Sequence, residues 1–214
     1  MKFSEMPYSR PDLEAMKANL TACTEAFLAA ESAQEQIAQY DRVTDLSVEF
    51  NTMGSLANAR HTIDTRDEFY DAEETFWNAA TPELDAYEDA WKGAMLESPF
   101  RKEFAAEYGD LMFINAEIAR KAFSPEIIPE SQQENELTQA YGKLIASAQI
   151  PFEGGVYTIS QLSPFKNDPD DARRLAAWQA EGAWYKEHQA EFDDIYDKMV
   201  HLRDTMGKKL GYGG

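Results

Sequence analysis

The sequence predicts a mainly α fold, long antiparallel helices with one short β-hairpin. Three observations carry this. Apolar residues recur at spacings of three and four along nearly the whole chain. Serine, threonine and aspartate stand before those runs as helix caps. One stretch, Ile150-Pro-Phe-Glu-Gly-Gly-Val-Tyr-Thr-Ile159, breaks the helical period with β-branched and aromatic residues around two glycines.

Pro11 stands where a first helical residue belongs, and Leu13, Met16, Leu20, Cys23 and Phe27 form the apolar side of the helix it opens. Ser32 with Glu35 is a capping box for a second helix carrying Ile37, Tyr40, Val43, Leu46, Phe50, Met53 and Leu56 to about Thr62, antiparallel to the first. Thr65 with Glu68 reads as a second box, opening a helix with Phe69, Phe76, Ala80, Leu84, Tyr87, Trp91 and Met95 inward. The stripe keeps its phase across Pro82, which favours one long kinked helix over two. Two shorter helices follow, Pro99 to Tyr108 and Asp110 to Phe123, with Gly109 as a left-handed cap between them. A further helix after Pro129 carries Leu137, Tyr141, Leu144 and Ile145 up to the hairpin, whose two-residue turn is placed at Gly154-Gly155. Beyond a loop or single turn at 162–167, Asp168-Pro169 marks the start of a helix with Leu175, Trp178, Gly182 and Tyr185 inward. The last helix turns Phe192, Ile195, Met199, Leu202, Met206 and Leu210 inward and stops at Gly211.

Asp and Glu number 39 against 20 Lys and Arg, a net charge of −19. That balance repels phosphate backbones and anionic bilayers, so nucleic acid and membrane are not expected partners. Cys23 is the single cysteine and falls in helical phase with apolar neighbours, which excludes an internal disulfide or a cysteine zinc site and fits a reducing compartment. Met1-Lys-Phe-Ser-Glu-Met-Pro7 lacks the apolar segment of a signal peptide, so a cytoplasmic location is expected.

Chemistry-bearing residues are sparse. His188 and Glu191 stand at i and i+3, the spacing at which two ligands on one helix reach one metal, but a single such pair reads as a half-exposed histidine beside a solvated acid. His201, next to Leu202, is expected at the edge of the packing. The run Arg60-His61-Thr62-Ile63-Asp64-Thr65 gathers both signs of charge at a helix–helix corner, where an Arg60–Asp64 or His61–Asp64 contact is expected. The sequence holds no phosphate loop, no nucleophile–base order and no H-E-x-x-H.

Several stretches carry a further signal when taken together: Met1-Lys-Phe-Ser with Arg10-Pro-Asp-Leu13, Arg60-His-Thr-Ile-Asp-Thr-Arg-Asp-Glu-Phe-Tyr70, Ser98-Pro-Phe-Arg-Lys102, Phe123-Ser-Pro-Glu-Ile-Ile128, Ala146-Ser-Ala-Gln-Ile150, Leu162-Ser-Pro-Phe165, Asp194-Ile-Tyr-Asp-Lys-Met-Val200 with Arg203, and Lys209-Leu-Gly-Tyr212. In this order, along the whole chain, they resemble the N-terminal part of the oligoendopeptidase F branch of the thimet-type zinc metallopeptidases. The resemblance implies a helical N-terminal lid or substrate-channel domain over 1–214, with two helical halves, 1–123 and 124–214, as the alternative division and the catalytic domain outside this chain. It implies a parent enzyme that hydrolyses short peptides, with zinc held by H-E-x-x-H and a later glutamate in the part not present here. No catalytic or metal residue and no cofactor is therefore expected in this chain. Arg60, His61, Asp64 and Tyr70 are the expected channel-wall residues, because a resemblance block and a polar corner coincide there. The expected partners are the catalytic half and short peptides. An apolar face around Trp178, Trp184 and Tyr185 is expected to be exposed and able to support self-association. The alternative reading is a free-standing helical interaction module without activity.

Overall fold

The computed structural model describes residues 2–213. Among these, nine α-helices and one two-stranded antiparallel sheet follow in the order α1 (Leu13–Ala29), α2 (Ala33–Ile63), α3 (Glu68–Leu96), α4 (Arg101–Tyr108), α5 (Leu111–Lys121), α6 (Ile128–Ala146), β1 (Ile150–Phe152), β2 (Gly155–Tyr157), α7 (Ser163–Lys166), α8 (Asp171–Glu187) and α9 (Gln189–Lys209). The mainly α reading with one hairpin holds. The chain packs as two compact units, Met1–Gln132 with Met206–Gly214, and Gln133–Thr205.

In the first unit α1, α2 and α3 share one core. Phe27, fully buried, meets Trp91 edge to face at 4.9 Å, and Phe50 meets Trp77 at 4.7 Å. The contacts descend along one helix as they ascend the next: Phe27 pairs with Gln36 and Asn19 with Arg42, then Asn58 with Glu74 and His61 with Asp71. That ordering makes α2 antiparallel to both α1 and α3. Gln36 is buried and satisfied, its Nε2 donating to the Phe27 carbonyl at 3.0 Å while its Oε1 accepts from Ser98 Oγ. A buried amide without those partners would cost about 1–3 kcal/mol. α3 runs through Pro82 as one helix, and Gln132 Nε2 donates to the Ala79 carbonyl on the preceding turn. Cys23 is buried, as its phase requires.

Several element starts differ from the sequence reading, each because a nearer aspartate competes. α1 begins at Leu13, capped by Asp12, whose carboxylate accepts from Ala15 N at 2.9 Å, so Pro11 lies outside it. α3 is capped by Asp67 rather than Thr65, since Asp67 accepts from both Phe69 N and Tyr70 N. α8 is capped by Asp170, not Asp168, which instead accepts from Asp170 N in a local turn. Gly109 ends α4 with φ +82° but an extended ψ of 166°, not the left-handed helical conformation expected.

In the second unit the hairpin pairs Ile150 with Tyr157 and Phe152 with Gly155. The turn is therefore Glu153-Gly154, one residue earlier than expected, with φ of +47° and +81°. Gly155 serves a different purpose: a Cβ there would lie 2.6 Å from the Tyr157 hydroxyl. Replacing Gly154 by alanine is expected to cost about 1–2 kcal/mol, because a Cβ disfavours positive φ; urea denaturation read from the hairpin side of the second unit checks this. Phe152 and Tyr157 both pack on Phe165, at 5.2 and 5.0 Å.

The phase of α8 also differs. Ala177, Glu181 and Trp184 are its buried residues, while Leu175, Trp178 and Tyr185, expected inward, are exposed. Lys166 from α7 makes this possible, since its ammonium pairs with the Glu181 carboxylate and lies 4.7 Å from the Trp178 ring centre. Of the expected exposed cluster, Trp184 is thus internal and the other two are at the surface.

Candidate functional site

The chemistry-bearing side chains of the first unit converge where the segment before α1 crosses the corner between α2 and α3. Arg60, in the last turn of α2, donates to Tyr70 OH at 2.7 Å and to the Met6 carbonyl at 2.5 Å. Its guanidinium also lies over the Phe3 and Tyr70 rings, at 5.7 and 5.5 Å from their centres. One arginine thus ties the N-terminal segment to α3. His61 faces the other way, 5% exposed, with Nε2 3.2 Å from Asp71 Oδ1. The Asp64 carboxylate joins neither side chain: it is at the surface, held by Arg66 Nε at 2.9 Å, and that hydrogen bond lowers its pKa, while its backbone N–H donates to the Arg60 carbonyl at 3.4 Å. Of the four expected residues, Arg60 and Tyr70 are brought together, His61 turns to Asp71, and Asp64 stands apart. The side-chain contacts expected from Asp64 to Arg60 or His61 are replaced because Asp64 shapes the turn itself, accepting from Arg66 N.

Below this corner lies a cluster that the sequence analysis did not single out, a clasp of Tyr8 and Arg10 on Glu73. Glu73 of α3 is 4% exposed, yet accepts from Arg10 Nη2 at 2.7 Å and Nε at 3.1 Å and from the Tyr8 hydroxyl. Trp77 Nε1 donates to Tyr8 oxygen at 3.1 Å, and Arg10 stacks 4.6 Å above Phe76. The Arg10 hydrogen bond holds the Glu73 carboxyl below its ordinary value. Burial first, and then the hydrogen bond donated to Glu73, push the Tyr8 phenol up to about 12. The signal was in the sequence, for Glu73 falls in phase with Phe69, Phe76 and Ala80 on an apolar stripe. A raised phenol pKa means the fold favours the neutral form. The associated stability is complete below the ordinary value of 10.0 and is lost as pH rises toward about 12. Alkaline unfolding titrations should show this slope in the native chain and not in Tyr8→Phe.

Phe3 and Met6, the contacts of Arg60, also border a groove of about 840 Å³ that runs past Leu20 of α1, Val43 and Asn51 of α2, and Trp91 of α3. Lys92 and Glu88, paired at 3.1 Å, stand at its rim. The rest of the lining is mostly apolar, with small hydroxyl and amide groups.

The remaining histidines do not form the pair their spacing suggested. His188 ends α8, its Nδ1 donating to the Trp184 carbonyl at 2.9 Å and its ring stacked on Trp184 at 4.4 Å, whereas Glu191 lies in the first turn of α9. His201 is exposed rather than at a packed edge. Among the described residues no three His, Cys, Asp or Glu side chains gather where one cation could touch them. A catalytic zinc needs three such ligands, and these side chains do not supply them together.

A family profile described as Peptidase M3 N-terminal domain matches residues 3–123, more than half of the 214. The chain belongs to this M3 peptidase family. The match covers the clasp and the groove-lining helices of the M3 N-terminal domain. Three solved structures are similar over 99% of this chain. One, solved as an oligoendopeptidase F, is 39% identical with a TM-score of 0.95. A second, PZ peptidase A with an inhibitor, is 39% identical with a TM-score of 0.94. The third, an oligoendopeptidase F from Bacillus anthracis str. Ames, is 36% identical, also at 0.94. The M3 chain spans only 38%, 38% and 39% of their lengths. No curated protein matches it. No helix among the described residues is long and apolar enough to cross a membrane.

Proposed function

We propose that these 214 residues are the non-catalytic N-terminal domain of an oligoendopeptidase-like zinc metallopeptidase, forming one wall of the channel through which short peptides reach a catalytic half elsewhere in the parent protein. The observation that supports this reading most is the likeness over 99% of the chain to an oligoendopeptidase F of which it spans 38%. In this reading the Arg60–Tyr70 corner, with His61 behind it and Asp64 at its edge, belongs to the wall, and the parent works in the cytoplasm. Zinc enters only with the catalytic half, a reading that the sparse histidines and the ligand count of such sites support. The test is the gene beyond the codon for Gly214. An open frame that runs on to H-E-x-x-H supports the proposal, and a stop codon at that point favours a free-standing helical interaction module.

A further inference from the structure

Unit Gln133–Thr205 carries little core of its own. Its buried cluster is Ala148, Ile150, Phe152, Leu162, Ala177 and Trp184, all from the hairpin, its flanks and α8. The two longest helices that enter it, α6 and α9, have no fully buried residue, and only Leu144, Ile145 and Phe192 pack half-buried against that cluster. Their apolar side chains are there nonetheless. Between them lies a groove of about 460 Å³, lined by Tyr141 of α6 and by Phe192, Ile195, Tyr196 and Met199 of α9, with Arg203 at one end. Those α9 positions are i, i+3, i+4 and i+7, the ridge that one helix offers to another. Tyr196 is 72% exposed on it. Ring contacts carry the apolar surface onward, from Tyr141 to Phe192 at 5.9 Å and from Phe192 to Tyr185 at 5.4 Å, and the exposed Trp178 and Leu175 continue along α8. A small unit with so few buried side chains and so much bare aromatic surface is incomplete as it stands.

We propose that the Tyr141–Phe192–Tyr196 groove, extended by the Trp178–Tyr185 stripe, is the seat of an amphipathic helix from the part of the parent protein outside these 214 residues. This rests on the N-terminal-domain reading. The occupant follows from three features: the ridge spacing calls for a helix, the lining calls for aliphatic anchors, and the chain's three structural relatives are more than twice its length with the same fold over 99% of it. A free peptide substrate and a second copy of this chain are the competing occupants.

The experiment uses Tyr196→Lys in the 214-residue chain and in the full-length protein. Because the side chain is mostly solvated in the chain alone, the substitution should leave that melting temperature within about 1 °C. In the full-length protein it should lower the melting temperature by about 5 °C or more, and native α9 amides should exchange at least about tenfold more slowly there than in the 214-residue chain. Equal melting shifts in both, or none in either, overturn the proposal. So does a 214-residue dimer in sedimentation that Tyr196→Lys dissociates, which assigns the groove to a second copy. Protection of α9 amides by a saturating decapeptide, with the full-length protein unprotected in its absence, assigns it to substrate. Peptide cleavage by the full-length protein is measured in parallel: its absence defeats the N-terminal-domain reading itself, whereas cleavage with an indifferent Tyr196→Lys defeats only the docking site.

Discussion

Phe27→Ala is expected to destabilise the chain by about 3–5 kcal/mol, the range for an aromatic side chain removed from a core that cannot collapse around the space left. Phe27 has no solvent exposure and sits between Trp91 at 4.9 Å and Phe104 at 5.9 Å, so three helices lose a shared contact at once. Its carbonyl also receives Gln36 Nε2, and any shift of the α1 end toward the cavity strains that bond. The neighbour Leu28, 59% exposed, provides the contrast, since Leu28→Ala should change stability by no more than about 0.5 kcal/mol. Urea unfolding followed by tryptophan fluorescence distinguishes the two. A loss below about 1 kcal/mol for Phe27→Ala would mean that the aromatic core of the first unit is not as packed.

Glu73→Ala should be the next most damaging change, at roughly 2–3 kcal/mol, because it leaves the Tyr8 hydroxyl and the Arg10 guanidinium without their acceptor. The value lies under that of a wholly buried pair because the Arg10 side chain is 49% exposed and regains water. The pH dependence has a definite sign. A carboxyl whose folded pKa is lowered contributes stability that is present above its ordinary value of 4.5 and is lost as pH falls through the folded value. Native protein should therefore lose stability on acidification in this window more steeply than Glu73→Ala. Parallel slopes for the two would show that the clasp carries no linkage. Loss of the clasp should also free the segment before α1, which limited proteolysis near Met6 would register.

Fold class was legible because helical periodicity is a property of single segments. The stripes of α1 and α2 kept their phase, that of α9 is only half-buried, and Pro82 sits within α3 as expected. Part of what failed depended on partners distant in sequence, and part on local competition between caps. α8 turns Ala177 and Glu181 inward, a choice that only Lys166 makes tolerable, and no period of apolar residues reveals it. Thr65 matched a capping box, but Asp64 had already organised the turn and Asp67 presented a carboxylate to two amides. The polar corner was found from the mixed charges around Arg60, yet its pairing was misplaced, because the acceptors Tyr70 and Asp71 come from the next helix. Glu73 shows the reverse case. It was readable as a charge in phase with an apolar stripe, while its partners Tyr8 and Arg10 lie 65 and 63 residues away and could not be named from local spacing.

On the proposal made above, this chain helps to shape a peptidase whose chemistry lies elsewhere in the parent protein. Cleavage of a quenched fluorescent peptide of about ten residues, by the 214-residue chain and by the full-length protein side by side, tests it most directly; a thermal melt with and without zinc accompanies it, because a metal stabilises only a site the fold already forms. The expected result is chelator-sensitive cleavage by the full-length protein, none by the 214-residue chain, and a melting temperature of that chain that zinc leaves unchanged. Chelator-sensitive cleavage by the 214 residues alone, abolished by His188→Ala, would contradict it.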